Sequence, residues 1–204
     1  MTFQANTIYH IYNQGNNRQK IFYKEKNYIF FLRKMRTHLL PYVDVLAYCL
    51  MPNHFHWLVY TQPEACLPYV SIKKRNAFKS KSSDELKKSN IQNLHQGIAV
   101  LLRSYTRAIN KQEGRTGTLF RPKTKYKDGF VDGFVTIDGK NKNLFFSPDN
   151  TYAQKCFEYI HDNPVEANLV SQAESWTYSS AMDYANIRQG TLCNQTLAKQ
   201  LNLV

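Results

Sequence analysis

The sequence predicts a single mixed α and β domain, and three observations carry that reading. A strand hairpin turns at Pro52-Asn53, two amphipathic helices follow the 3.6-residue period, and 204 residues suffice to bury one core. Hydrophobic residues make up 43% of the chain and aromatics 14%, with 14 Tyr and 12 Phe, which suits a globular protein with a ring-rich interior. No apolar run approaches membrane-span length, and Met1 to His10 lacks a secretory pattern, so a cytoplasmic protein without membrane contact is expected. Cys49, Cys66, Cys156 and Cys193 have no Cys-x-x-Cys spacing and read as reduced thiols.

Each element has its own signal. Thr7–Asn13 is β-rich and ends at the turn residues Gln14-Gly15-Asn16-Asn17. Over residues 25–40, Tyr28, Phe31, Leu32, Met35 and Leu39 repeat at helical spacing until Pro41. Val43–Leu50 reads as a buried strand, and Pro52-Asn53 returns it into 54–60 as an antiparallel hairpin. A short helix is expected over 64–79 after Pro63, with a mobile Lys/Ser-rich stretch from Lys73 to Lys88. Leu94, Ile98, Leu101, Leu102, Tyr105 and Ile109 then share about 100° of a helical wheel, with Arg103 and Arg107 on the far side and Gly114 closing the helix. Thr118–Arg121 resumes extended structure. Residues 128–147 carry Asp-Gly-Phe-Val twice and read as hairpin turns. A helix capped by Asp149 or Asn150 should run to Asp162 and break at Asn163-Pro164, with two short helices near 176–186 and 194–202.

The hairpin also carries chemistry. Period two along Met51-Pro52-Asn53-His54-Phe55-His56-Trp57-Leu58-Val59 puts His54 and His56 on one face, roughly 6–7 Å apart, with Phe55, Trp57 and Val59 on the other. Two imidazoles so placed can converge on one divalent cation. Charge is the second signal. The net charge is +12, but residues 1–127 hold 22 basic and 6 acidic groups while 128–204 hold 5 and 9. A concentrated positive field points to a polyanion, and Arg103, Arg107, Arg115, Arg121, Lys123, Lys125 and Lys127 form a track suited to a phosphate backbone.

Five stretches, in order, resemble the REP-associated tyrosine transposases, a subgroup of the single-strand DNA transposases with a histidine-hydrophobic-histidine motif and one catalytic tyrosine. They are Tyr9-His10-Ile11 with Gly15-Asn16-Asn17-Arg18; Tyr48 to His56; Ser104-Tyr105-Thr106-Arg107 with Asn110; Arg115 to Phe120; and Tyr159-Ile160-His161-Asp162-Asn163-Pro164-Val165. The resemblance implies a ferredoxin-like α+β sandwich, an antiparallel sheet with helices on one face and a C-terminal helical extension. It implies a catalytic core over 1–127, an insertion over 128–147 and a helical remainder of the same domain over 148–204. It further implies single-stranded or hairpin DNA as partner, Mg2+ or Mn2+ on His54 and His56, and Tyr105 as nucleophile, in a monomer or homodimer that associates with the nucleoid when bound to DNA. Without those motifs Tyr105 is a core tyrosine.

Two departures stand out. The family places a polar metal ligand one helical turn after its tyrosine, where this chain has Ile109; Asn110 is the nearest candidate, but an ideal helix turns it about 140° from Tyr105. Lys123 stands where the family tends to carry Arg. His10 reads as a sheet histidine and His161 as a structural cap. The competing functions are a non-catalytic nucleic-acid-binding protein of the same fold and a structural RNA-binding module, which would need neither the histidine pair nor the tyrosine.

Overall fold

The structure is a computed structural model that describes residues 2–72, 86–128 and 152–204. In chain order the elements are β1 (Ile8–Gln14), α1 (Glu25–His38), β2 (Val43–Met51), β3 (His54–Thr61), α2 (Pro63–Cys66), β4 (Pro68–Ile72), β5 (Leu86–Gln92), α3 (Asn93–Gln112), β6 (Lys125–Asp128), α4 (Tyr152–Glu166), α5 (Ala181–Tyr184) and α6 (Gln195–Gln200). The main sheet runs β2-β3-β1-β6, every neighbouring pair antiparallel. With α1 after β1 and α3 between β3 and β6, this is the βαββαβ order of a ferredoxin-like sandwich, as the resemblance implies. β4 and β5 form a separate antiparallel pair.

The sheet has an apolar layer on each side. On one, Tyr9, Ile11, Phe55, Trp57 and Val59 pack against Phe31 and Met35 of α1 and Leu94, Ile98, Leu101, Tyr105 and Ile109 of α3. On the other, Ile8, Leu46, Cys49, Met51 and Leu58 meet Ala153, Cys156, Phe157 and Ile160 of α4. A bulge between Val45 and Ala47 switches the parity of β2, so that Val43 and Val45 face the same layer as Tyr48 and Leu50. The two core helices thus lie on one face, and the C-terminal extension roofs the other.

Three local expectations change. Of the helix expected over 64–79, the described residues up to 72 contain only the four-residue α2, because Leu67-Pro68 turns the chain into β4; Pro68 stands at the strand's first position, where its missing N–H is tolerated. The mobile stretch expected from Lys73 lies outside the described residues up to 85, and from Leu86 the chain is strand β5. The hairpin expected over 128–147 lies beyond Asp128 and outside the described residues. Helix α4 does not stop at Asn163-Pro164 but continues to Glu166. Its end is closed by Ala167 N on Asn163 O and Leu169 N on Pro164 O, at 3.0 and 2.9 Å. All four cysteines are free.

Candidate active site

Strand β3 pairs with β1 so that His56 stands opposite Tyr12, His54 opposite Gln14, and Leu58 opposite His10. Alternation then collects His54, His56, His10 and Tyr12 on the face that α4 covers, away from Phe55 and Trp57. The His54 and His56 rings stand 5.0 Å apart at 89°, as expected for a pair sharing a face. Tyr12 stacks on both His10 and His56, at 5.0 and 5.5 Å between centroids.

Hydrogen bonds orient these rings. His56 Nδ1 bonds His10 Nε2 at 2.9 Å, and His10 Nδ1 lies 3.7 Å from Cys156 Sγ. If His10 carries its proton on Nδ1, pointed at the sulfur, its Nε2 accepts from His56 Nδ1–H, and His56 keeps the lone pair of Nε2. Burial holds His56 well below the ordinary histidine range, with His54 and His10 adding to the effect. Burial, with Lys127 assisting, lowers His10 to about 3. Both rings are therefore neutral at pH 7, the form in which imidazole binds metals.

Helix α4 supplies the rest. The Tyr159 ring stands edge-on to His56, 5.4 Å between centroids at 85°, and is half-buried. One turn later, Asn163 Oδ1 lies 3.1 Å from His54 Nε2. The Asn163 amide is fixed in that orientation because its Nδ2 donates to Tyr159 O at 3.0 Å. At its other nitrogen, His54 Nδ1 meets Asn53 Oδ1 at 2.6 Å, and Asn53 Nδ2 reaches Arg18 O at 3.5 Å. His54 thus faces an oxygen at each ring nitrogen, but a neutral imidazole carries one proton. The arrangement is satisfied by a second proton or by a cation shared between Nε2 and Oδ1. Neighbouring ligands at right angles on a cation bound at 2.0–2.2 Å stand about 3 Å apart, so the observed spacing suits the cation. Among the described residues no three histidine, cysteine or carboxylate side chains converge as a metal site; here two histidines are joined by an amide oxygen.

The other predicted site residues separate. Tyr105 is fully buried on the opposite side of the sheet, its O–H donating to Ile21 O at 2.7 Å and its ring edge-on to Phe31 at 4.8 Å. Desolvation raises its phenol far above the ordinary value. The expectation that Tyr105 meets the histidines is corrected: an apolar stripe packs on the apolar sheet face, and the histidines occupy the other. Asn110 is on the same wrong side, donating from Nδ2 to Gly117 O at 2.8 Å, and does not approach His54 or His56. Of the basic track, Lys125 lies 6.0 Å from the Tyr12 ring centroid and Lys127 pairs opposite His10, both beside the histidines. Arg115 donates to Gln19 Oε1 at 2.7 Å. Arg103, Arg107, Arg121 and Lys123 gather around a groove on the α3 side. His161 is buried in α4, bonded through Nε2 to Ser180 Oγ at 2.7 Å.

Tyr159, Asn163 and the supporting His10 are the residues that sequence reasoning passed over for these roles. The signal was present: Tyr159 and Asn163 stand at i and i+4 in the last of the five matching stretches, a tyrosine with a polar side chain one turn later, which Tyr105 lacks because its i+4 residue is Ile109.

No protein-family model matches the chain, and no curated protein matches it. Among solved structures, the fold is similar to that of the REP-associated tyrosine transposase bound to a REP hairpin, with a TM-score of 0.53 and 14% identity. The match covers 91% of this chain and 82% of that one. At that identity the likeness establishes a shared fold.

Proposed function

We propose that the protein is a transposase-like DNA strand transferase that cuts and rejoins single-stranded or hairpin DNA, with Tyr159 as its nucleophile. One observation carries the reading: Tyr159 and Asn163, a helical turn apart on α4, stand over the His54–His56 pair. The similar fold of a transposase bound to a hairpin supports DNA as the substrate class. His54 Nε2, His56 Nε2 and Asn163 Oδ1 would hold a divalent cation, and this nitrogen–oxygen set suits Mn2+ better than Mg2+. When bound, that cation polarises a phosphoryl oxygen and stabilises charge on the leaving group.

The chain's own residues perform the rest. Lys125 and Lys127 attract the phosphodiester to the histidine face. Tyr159 Oη attacks phosphorus, the P–O3′ bond breaks, and the products are a 5′-phosphotyrosine and a free 3′-hydroxyl. In the reverse sense a 3′-hydroxyl from another end attacks the same phosphorus and releases Tyr159, so rejoining needs no ATP. His10 and Asn53 keep the two imidazoles turned toward the site, and the hydrogen bond that Asn163 Nδ2 donates to Tyr159 O keeps Oδ1 facing His54.

The test is a hairpin with single-stranded tails, labelled at either end and incubated with Mn2+, then run on denaturing gels. Wild-type protein and Tyr105→Phe should form a covalent adduct on the 5′-phosphate side. Tyr159→Phe should bind the hairpin and form none. Adduct persisting in Tyr159→Phe would move the role to Tyr12, which also borders His56. No adduct from wild-type protein would favour the non-catalytic binding protein.

A further inference from the structure

A groove of about 920 Å³ runs between the outer face of α3 and the segment leading into β6, on the sheet side opposite Tyr159. Its walls combine two chemistries. Leu102 and Phe120 contribute an apolar trough, and the exposed Arg103, Arg107, Arg121 and Lys123 stand around it. Among the described residues no carboxylate lines it. Four cations without a counter-charge repel one another, and a phosphate chain relieves that repulsion.

Phosphates outside and a flat apolar body within describe a nucleotide chain with its bases exposed. A duplex presents phosphates but keeps its bases stacked and paired, so it cannot fill the trough. We propose that this groove is a second DNA site, separate from the Tyr159 site, that holds an unpaired stretch of the strand with its phosphates on the four cations and a base against Leu102 and Phe120. The proposal rests on the reading of DNA as substrate and deepens it. Among the described residues β6 is the edge strand of the sheet, with Tyr126 turned toward Phe3 and Tyr9 on the groove side and Lys125 toward Tyr12 on the other.

Fluorescence anisotropy tests this without any cleavage, using full-length Tyr159→Phe protein in EDTA. The probes are an unstructured 12-nucleotide single strand and a blunt duplex of the same length. Ala99→Trp places an indole in the trough and leaves every cation in place. It should weaken the single strand about tenfold, the scale of one lost base-stacking contact, and leave the duplex within about twofold. The double variant Arg103→Ala/Arg107→Ala, at two exposed positions, should lower the log–log salt slope for the single strand by about 1.4. Thermal melts establish that both variants fold. Equal affinity of Ala99→Trp and the parent for the single strand, or equal loss for both probes, would overturn the proposal, as would an unchanged salt slope in the double variant. The outcome is independent of Tyr159, whose role is read from adducts alone.

Discussion

Asn163 brings an oxygen to within 3.1 Å of a histidine nitrogen that needs a proton or a cation to meet it. Asn163→Ala removes that oxygen and should weaken Mn2+ binding at least tenfold, read by the electron paramagnetic resonance signal of free Mn2+. Asn163→Asp replaces a neutral oxygen with a charged one and should tighten it. Unchanged Mn2+ affinity in both would place the third ligand elsewhere. His10 does not reach the cation in this scheme but sets the His56 tautomer, and His10→Ala should cost roughly 10- to 100-fold in Mn2+ affinity, the usual scale for an orienting partner. Tyr105 behaves differently again. Tyr105→Phe leaves Ile21 O without its donor and should lower unfolding stability by about 1–1.5 kcal/mol in urea titrations, with adduct formation intact.

At the level of elements, α1 and α3 pack closely at Gly97, where a Cβ would collide with the main-chain oxygen of His38. Backbone cannot move aside as a side-chain tip can. Gly97→Ala should therefore destabilise the protein by about 1–3 kcal/mol, measured by chemical denaturation, and a melting temperature equal to wild type would refute the contact. The alternation of β3 was legible in the sequence, and with it the shared face of His54 and His56. So was the apolar stripe of α3. The two together already exclude Tyr105 from the histidine side, since the stripe needs Phe55 and Trp57 beneath it. What no local pattern reveals is which helix roofs the opposite face. Asn163-Pro164 looks like a stop, yet α4 passes through it. Pro164 lacks only the N–H that would reach Ile160 O, and it lies in the last turn, where few main-chain bonds remain to be lost.

Across the whole molecule, stability should depend on pH through its buried histidines. Burial lowers His10 to about 3 and His161 to about 4, and holds His56 well below the ordinary value. All three fold as neutral rings. The unfolded chain takes up protons below about pH 6.5 that the folded protein refuses, so their stabilisation is complete above that pH and declines as pH falls toward 4. Each histidine contributes up to about 1.4 kcal/mol per pH unit in that window. Urea unfolding in EDTA at pH 7, 6 and 5 should show the decline. His161→Gln, which retains a polar group for Ser180, should make it shallower. A stability that is flat or rises on acidification would contradict the neutral assignment.

The distance along the chain between the histidine pair, at positions 54 and 56, and Tyr159 also orders events during synthesis. At about 5–20 residues per second, the growing polypeptide spends roughly 5–20 s with the histidines of β3 made and the proposed nucleophile not yet translated. In that interval the basic amino-terminal part has charge enough to hold a strand and no group to cut it with. On the proposed assignment, a ribosome-bound chain cannot become covalently tied to DNA before α4 has been made.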